Sequence, residues 1–252
     1  REALKNNTTA SNNVAVGYAS LFDNTTGAQN TAVGVSALEN NTTANDNTAV
    51  GNGALLSNTT GATNVAVGSG ALDANTTASN NTAVGMNSLT TNTTGHSNTS
   101  VGKDSLTLNT TGEQNTAVGH GALDANTTAS QNTAVGRYAL LSNTTGSDNV
   151  AVGANTLDAN TTGTYNVGVG KSALTNATTG SNNVAIGRVA MESATVAYNS
   201  VAVGTRALDA NVDGGYNLAI GDGALSAYTG SENTAVGPNA LENCTTGHDN
   251  TA

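Results

Sequence analysis

A 17-residue repeat recurs fifteen times along the 252 residues, and no other feature restricts the fold as tightly. The repeat reads Asn-Thr/Val-Ala-Val-Gly, two variable residues, Ala-Leu, two variable residues, Asn-Thr-Thr-Gly and two more. Its first residue, taken as position 1, falls at Asn13, Asn30, Asn47, Asn64, Asn81, Asn98, Asn115, Asn132, Asn149, Asn166 and Asn183, then at Ser200, Asn217, Asn233 and Asn250. Only the step from Asn217 to Asn233 is short, at 16 residues. A strict short period predicts a stack of like supersecondary elements, each contacting its neighbours and none able to bury a core alone.

The residue types within the repeat choose the element. Positions 1–5 are rich in β-branched residues and close on glycine, which predicts a short strand. Gly17, Gly34, Gly51 and Gly68 are expected to fix the turn after it, through a positive φ or a close backbone approach. Positions 6–10 are expected as a second extended piece with Ala and Leu turned inward, and Asn-Thr-Thr-Gly as a turn. A helix is excluded, because Asn, Thr, Val and Gly are mediocre to poor helix formers and recur in every repeat. Charged residues concentrate at positions 6, 7, 10, 11, 16 and 17, as at Lys103, Asp104, Arg137, Glu39, Asp23, Glu113 and Asp46. Asp213, at position 14, is the exception. This division predicts solvent-facing variable positions and a buried constant set, in the same register in every repeat.

The expected fold is therefore all-β: a parallel β-solenoid, or β-roll, of 17-residue coils. Residues 1–252 read as a single array of about fifteen coils that starts and stops in mid-repeat without capping coils, as a segment of a longer array would. At about 4.8 Å per coil the array would form a rod on the order of 70 Å long. The expected core is Val16, Val33, Val50 and Val67 with Leu21, Leu38, Leu55 and Leu72 and their equivalents. Asn13, Asn30, Asn47 and Asn64, and the Asn at position 12, are expected to form ladders bonded up and down the stack. Such a core is thin. The strand carries apolar residues on both faces, Val at position 4 and Ala at position 3. A strand apolar on both faces is normally covered on both, which predicts an interface with further copies, as in a homotrimer or other close bundle.

Composition and motifs narrow the function. One Phe, no Trp and one Pro, with 10% charged residues, fit neither a disordered nor a collagen-like chain. No stretch approaches a membrane-spanning length, so no membrane insertion is expected. A net charge of −10, with no basic stripe evident, argues against nucleic acid as a partner. Cys244 is alone. His96, His120 and His248 sit at variable positions of distant repeats, without a catalytic constellation, and no enzyme activity, metal or cofactor is expected. Gly51-Asn52-Gly53, Gly68-Ser69-Gly70 and Gly119-His120-Gly121 lack the following helix that a dinucleotide site requires. The Asp residues at position 10 (Asp73, Asp124, Asp158 and Asp209) are too interrupted for a calcium roll.

Asn-Thr-Thr also satisfies the N-glycosylation acceptor pattern, at Asn7, Asn24, Asn41, Asn58, Asn75, Asn92, Asn109, Asn126, Asn143 and Asn160. Asn176-Ala-Thr and Asn243-Cys-Thr keep that pattern. Turn chemistry is the favoured reading; a stripe of sugars on a surface filament is the alternative. Ranks of Thr also raise an ice-binding reading, although adjacent threonines such as Thr8 and Thr9 would point to opposite faces if extended.

The motif Asn-Val-Ala-Val-Gly, with Asn-Val-Ala-Ile-Gly at 183–187 and Asn-Leu-Ala-Ile-Gly at 217–221, resembles the head repeats of trimeric autotransporter adhesins of the YadA type. The resemblance covers the whole chain in short motifs. It implies a left-handed parallel β-roll, three rolls packing into one trimer. The family's typical repeat is shorter, with a briefer link after the glycine. The full 17-residue repeat is similar to the arrays of large tail-fibre-like proteins of bacteria and viruses. Both resemblances imply an extracellular, cell-surface or virion fibre used for attachment, with itself and an unknown surface receptor or glycan as partners.

Overall fold

The computed structural model describes residues 2–252. Its contacts divide the chain into two compact units, residues 1–128 and 129–252. Both are β-solenoids, and no helix occurs among the described residues. The N-terminal unit holds β1 (Val14–Val16), β2 (Thr31–Val33), β3 (Thr48–Val50), β4 (Val65–Val67), β5 (Thr82–Val84), β6 (Thr99–Val101) and β7 (Thr116–Val118), paired parallel in chain order. The C-terminal unit holds β8 (Thr133–Val135), β9 (Val150–Val152), β10 (Val167–Val169), β11 (Val184–Ile186), β12 (Val201–Val203), β13 (Leu218–Ile220) and β14 (Thr234–Val236), paired the same way. Like pairs with like, as in Thr31 with Thr48, Ala32 with Ala49 and Val33 with Val50. A strand bonds both neighbours: Thr31 N–H donates to Asn47 O and Gly34 N–H to Val16 O, each at 2.8 Å.

The expected second extended piece is corrected. Positions 7 and 9 take positive φ, 56° at Ser36 and 51° at Leu38, so this stretch is a tightly turned backbone rather than a strand. Its N–H groups serve both neighbouring coils. Ser36 N–H donates back to Tyr18 O (2.9 Å), while Leu38 N–H and Asn40 N–H donate onward to Ala54 O (3.0 Å) and Leu56 O (3.1 Å). A left-handed leucine costs about 1–2 kcal/mol. Full burial of Leu21, Leu38, Leu55 and Leu72 and the bond made by the leucine N–H offset that cost. In Gly51-Asn52-Gly53, Gly68-Ser69-Gly70 and Gly119-His120-Gly121 the second glycine marks position 7: Gly53, Gly70 and Gly121 have φ of 64°, 68° and 65°. The motif therefore serves a backbone requirement. Position 5 has a different one. Gly34 has φ of 141°, and a Cβ there would lie 2.3 Å from Gly51 O in the next coil.

The expected valine core is also corrected. Val16, Val50 and Val67 are 59%, 37% and 36% exposed, and Val33 is half-buried. Alternation along the strand forces a choice, and the coil turns position 3 inward instead: Ala32, Ala49 and Ala66 are fully buried. The interior has room on this side for a small side chain only, because Ala, Ser or Thr at position 8 and Leu at position 9 already fill it.

Departures from the repeat reveal which positions meet. Ser100 replaces the alanine of position 3, and its hydroxyl bonds those of Ser88 (2.8 Å) and Ser105 (2.5 Å), both at position 8. The three hydroxyls satisfy one another, and Ser105 also donates to Gly102 O, as the lone Ser20 does to Gly17 O. Gly168 makes the opposite adjustment. A Cβ on it would lie 2.6 Å from the Thr156 methyl, and Thr156 is at position 8 of the preceding coil. The Thr156 hydroxyl donates to Gly170 O at 2.6 Å, which holds that methyl over the glycine.

The 16-residue coil loses position 14. Strand pairing of Leu218 with Thr234 and the bridge of Ser231 with His248 keep everything on either side in register. Position 14 is an exposed turn threonine in coils such as those of Thr26, Thr43 and Thr60, so its loss removes no inward contact.

The meeting of positions 3 and 8 predicts a strong coupling. Gly168→Ala alone should lower stability by about 1–3 kcal/mol through overpacking. Adding Thr156→Ala should recover most of that loss. Thermal melts of the four chains measure it, and strictly additive losses would refute the shared space.

Candidate functional site

In most coils two asparagines, at positions 1 and 12, converge on one carbonyl. In the Asn30 coil, Asn30 Nδ2 and Asn41 Nδ2 both donate to Ala44 O, at 2.8 and 3.1 Å. The same groups join coils. Asn41 Nδ2 also donates to Asn24 Oδ1 (2.8 Å), and Asn30 Oδ1 accepts from Asn47 N–H (3.0 Å). Both ladders are therefore present, as a doubled amide spine inside the coil, and Asn30, Asn47 and Asn64 are fully buried. Asn13 is half-buried and makes the same contacts, to Gly27 O and Asn30 N–H at 2.8 Å each. The constant set thus includes amides facing in and valines facing out, a division that charge placement alone does not reveal. Ser200 fits the position 1 ladder: its N–H donates to Asn183 Oδ1 and its Oγ accepts from Asn217 N–H, both at 3.2 Å.

The ladder at position 12 stops where its residue changes. It runs from Asn7 to Asn126 in the N-terminal unit and from Asn143 to Asn160 in the C-terminal unit, where the next two coils place Ala177 and Ala194. Asn160 Oδ1 is consequently buried without a partner. Asn211 resumes the position, Tyr228 follows it, and Asn211 Oδ1 is also buried and unpartnered. Tyr228 supplies a donor of its own, its hydroxyl bonding Gly247 O.

This geometry corrects the sugar-stripe reading. Asn24, Asn41, Asn58, Asn75, Asn92, Asn109, Asn126, Asn143 and Asn160 are fully buried, and Asn7 is half-buried. A glycan on Nδ2 would displace the spine and separate the coils. Asn176 and Asn243 sit at position 11, one residue out of register, and are exposed. The threonines divide as well. Thr25 and Thr42 Oγ1 donate to the Thr42 and Thr59 carbonyls at 3.0 and 3.1 Å, leaving Thr26 and Thr43 at position 14 as one outward rank.

Three surface features remain. The outward face of the sheet carries Thr, Val or Leu at position 2 and Val or Ile at position 4, with no charge in any coil. Val84 and Val118 in the N-terminal unit are each 36% exposed, and Val135, Val152 and Ile186 in the C-terminal unit are 37%, 37% and 41% exposed. The second feature is histidine–carboxylate contacts between coils: His96 Nε2 lies 2.6 Å from Glu113 Oε2, and His120 Nε2 lies 4.0 Å from Asp104 Oδ2. The hydrogen bond from Lys103, at 2.7 Å, chiefly holds the Asp104 carboxyl below its ordinary range. The third feature is a short row of cations. All four cations of the C-terminal unit, Arg137, Lys171, Arg188 and Arg206, occupy position 6 or 7 and are exposed. Among the described residues no cluster of three His, Cys, Asp or Glu could hold a metal, no pocket opens, and no helix is long and apolar enough to cross a membrane.

No family model matches the chain, and no curated protein matches it.

At position 10, burial pushes the Asp73, Asp158 and Asp209 carboxyls up, with the charge of Glu192 adding to the effect at Asp209. Asp73 Oδ1 is buried without a partner.

Three predictions rest on the buried polar groups. Asn58→Ala should destabilise by about 2–3 kcal/mol, because Asn41 Oδ1 loses its donor and Asn75 Nδ2 an acceptor. The double variant Ala177→Asn/Ala194→Asn should raise the melting temperature, by restoring a donor to Asn160 Oδ1 and joining the ladder through to Asn211; a neutral result here and in Asn58→Ala would refute the spine's energetic role. For Asp73 the fold favours the protonated acid, so its charge opposes folding above the raised pKa. That penalty disappears as pH falls below the ordinary 3.8. Asp73→Asn should therefore raise the melting temperature at pH ~7 and lose its advantage by pH ~3, as a pH series of melts would register.

Proposed function

We propose that this chain is a segment of an extracellular attachment fibre, non-enzymatic, in which copies associate laterally through the outward face of the sheet. The observation that carries the reading is the uncharged stripe at positions 2 and 4, with Val or Ile at position 4 of every complete coil. A rank of exposed Val and Ile side chains of this kind on a folded surface marks an interaction site. Its periodicity equals that of the stack, so the surface that matches it coil for coil is the same stripe on another copy. The resemblance to YadA-type head repeats and tail-fibre arrays supports a trimer, left-handed coils and a cell-surface or virion setting. Stiffness along the stack would come from the buried amide spine and the intercoil backbone bonds.

Sedimentation equilibrium of the chain tests the proposal against the variant Val50→Lys/Val67→Lys/Val84→Lys. The parent is expected to sediment as a trimer and the variant as a monomer with an unchanged β-sheet circular dichroism spectrum. A monomeric parent would sink the fibre reading. A monomer that also showed thermal hysteresis would replace it with ice binding.

A further inference from the structure

We propose that the C-terminal unit carries an edge that binds a linear polyanion, with a sulfated polysaccharide as its ligand class. The idea takes its biological setting from the attachment reading, but its chemistry stands on charge placement alone. The unit carries nine carboxylates and only four cations, Arg137, Lys171, Arg188 and Arg206. Scattered at random, four cations would fall among the acids. Instead Arg137, Lys171 and Arg188 share position 6 and Arg206 is at position 7, so the repeat aligns all four along one edge.

The spacing follows from the stack. Arg137 and Lys171 are two coils apart, with Ala154 between them, and Lys171, Arg188 and Arg206 occupy consecutive coils. At about 4.8 Å per coil the rank extends roughly 19 Å. Asp222 is the one acid of this unit at these two positions, and it lies 4.0 Å from Arg206 at the end of the rank. Asp209 also feels Arg206, so the rank is least compensated over Arg137, Lys171 and Arg188. The Arg137 guanidinium stacks 4.3 Å from the Tyr138 ring centroid, which restricts its orientation. Three of the four cations are arginine, whose planar donors suit bidentate pairing with sulfate or carboxylate.

An extended ligand fits because no pocket opens among the described residues. A sugar ring is about as long as one coil step, so a chain bearing about one anion per ring meets about one cation per coil. Duplex DNA brings one charge per about 1.7 Å, far denser than the rank, and its surplus phosphates would face the carboxylates. Single strands bind on rows of aromatic rings, whereas the one ring at positions 6 and 7 of this unit, Tyr138, is engaged by Arg137.

Fluorescence polarisation with a labelled heparin oligosaccharide, titrated with the full chain over a salt series, tests the proposal. Binding is expected to weaken steeply with salt. The variant Arg137→Gln/Lys171→Gln/Arg188→Gln should lose affinity by at least about tenfold and show a shallower salt slope. Lys5→Gln, outside this unit, should bind as the parent does, and circular dichroism should show all chains folded. No binding at low salt, equal binding by the triple variant, or equal binding of a fully desulfated oligosaccharide would overturn the proposal. An oligothymidine that competes as well as heparin would overturn the choice of polysaccharide. Because sedimentation tests self-association separately, a trimer that ignores heparin removes this edge and leaves the fibre reading standing.

Discussion

The convergence of two asparagine amides on one carbonyl is the constraint on which the rest of the coil depends. Ala44 O accepts from both Asn30 and Asn41, which draws the strand end and the turn together across the interior. The remaining amide groups of the same two residues face the coils above and below. One pair of side chains therefore sets both the width of a coil and its contact with the next. Buried amides are costly when unpaired and strong when paired in a dry interior, so the arrangement favours exact repetition. An isolated departure leaves an orphan, as Asn160 Oδ1 and Asn211 Oδ1 illustrate.

A coil closed this way is narrow, and narrowness explains its other peculiarities. Only small residues occupy position 3, alanine in all but the coils of Ser100 and Gly168, which leaves the strand's valines on the outside. Leucine reaches the interior only from a left-handed backbone, and every position 9 leucine adopts one. Serine clusters at Ser88, Ser100 and Ser105, and the exchange of volume between Thr156 and Gly168, keep the interior filled and paired when single positions drift. The outside is free of these demands. It can carry the apolar stripe on one face and the aligned cations at position 6 without disturbing the stack.

Much of this was legible from the chain itself. The period, the parallel stacking in register, the exclusion of helix and the amide ladders follow from repetition and residue type. The turn glycines were legible too, because Gly34 meets both of the conditions that a constant glycine suggests. The inward face was not. Val and Ala alternate with equal regularity, and hydrophobicity favours the larger residue as core, whereas the space inside admits the smaller one. The Asn-Thr-Thr pattern was ambiguous for a related reason: an acceptor motif and a buried ladder look the same in one dimension. The signal for the turned stretch was present, since glycine recurs at position 7 in Gly53, Gly70, Gly121 and Gly223, and it was read as part of a Gly-x-Gly motif.

By itself, the sequence determined that like residues stack on like, because a 17-residue period leaves no other register for hydrogen bonding along the chain. Only the tertiary structure decided which side of each strand is inside, which amides are dry and which cations share an edge. Those outcomes depend on the cross-section of the coil, and its two buried asparagines and their shared carbonyl set that width through contacts 14 and 3 residues apart.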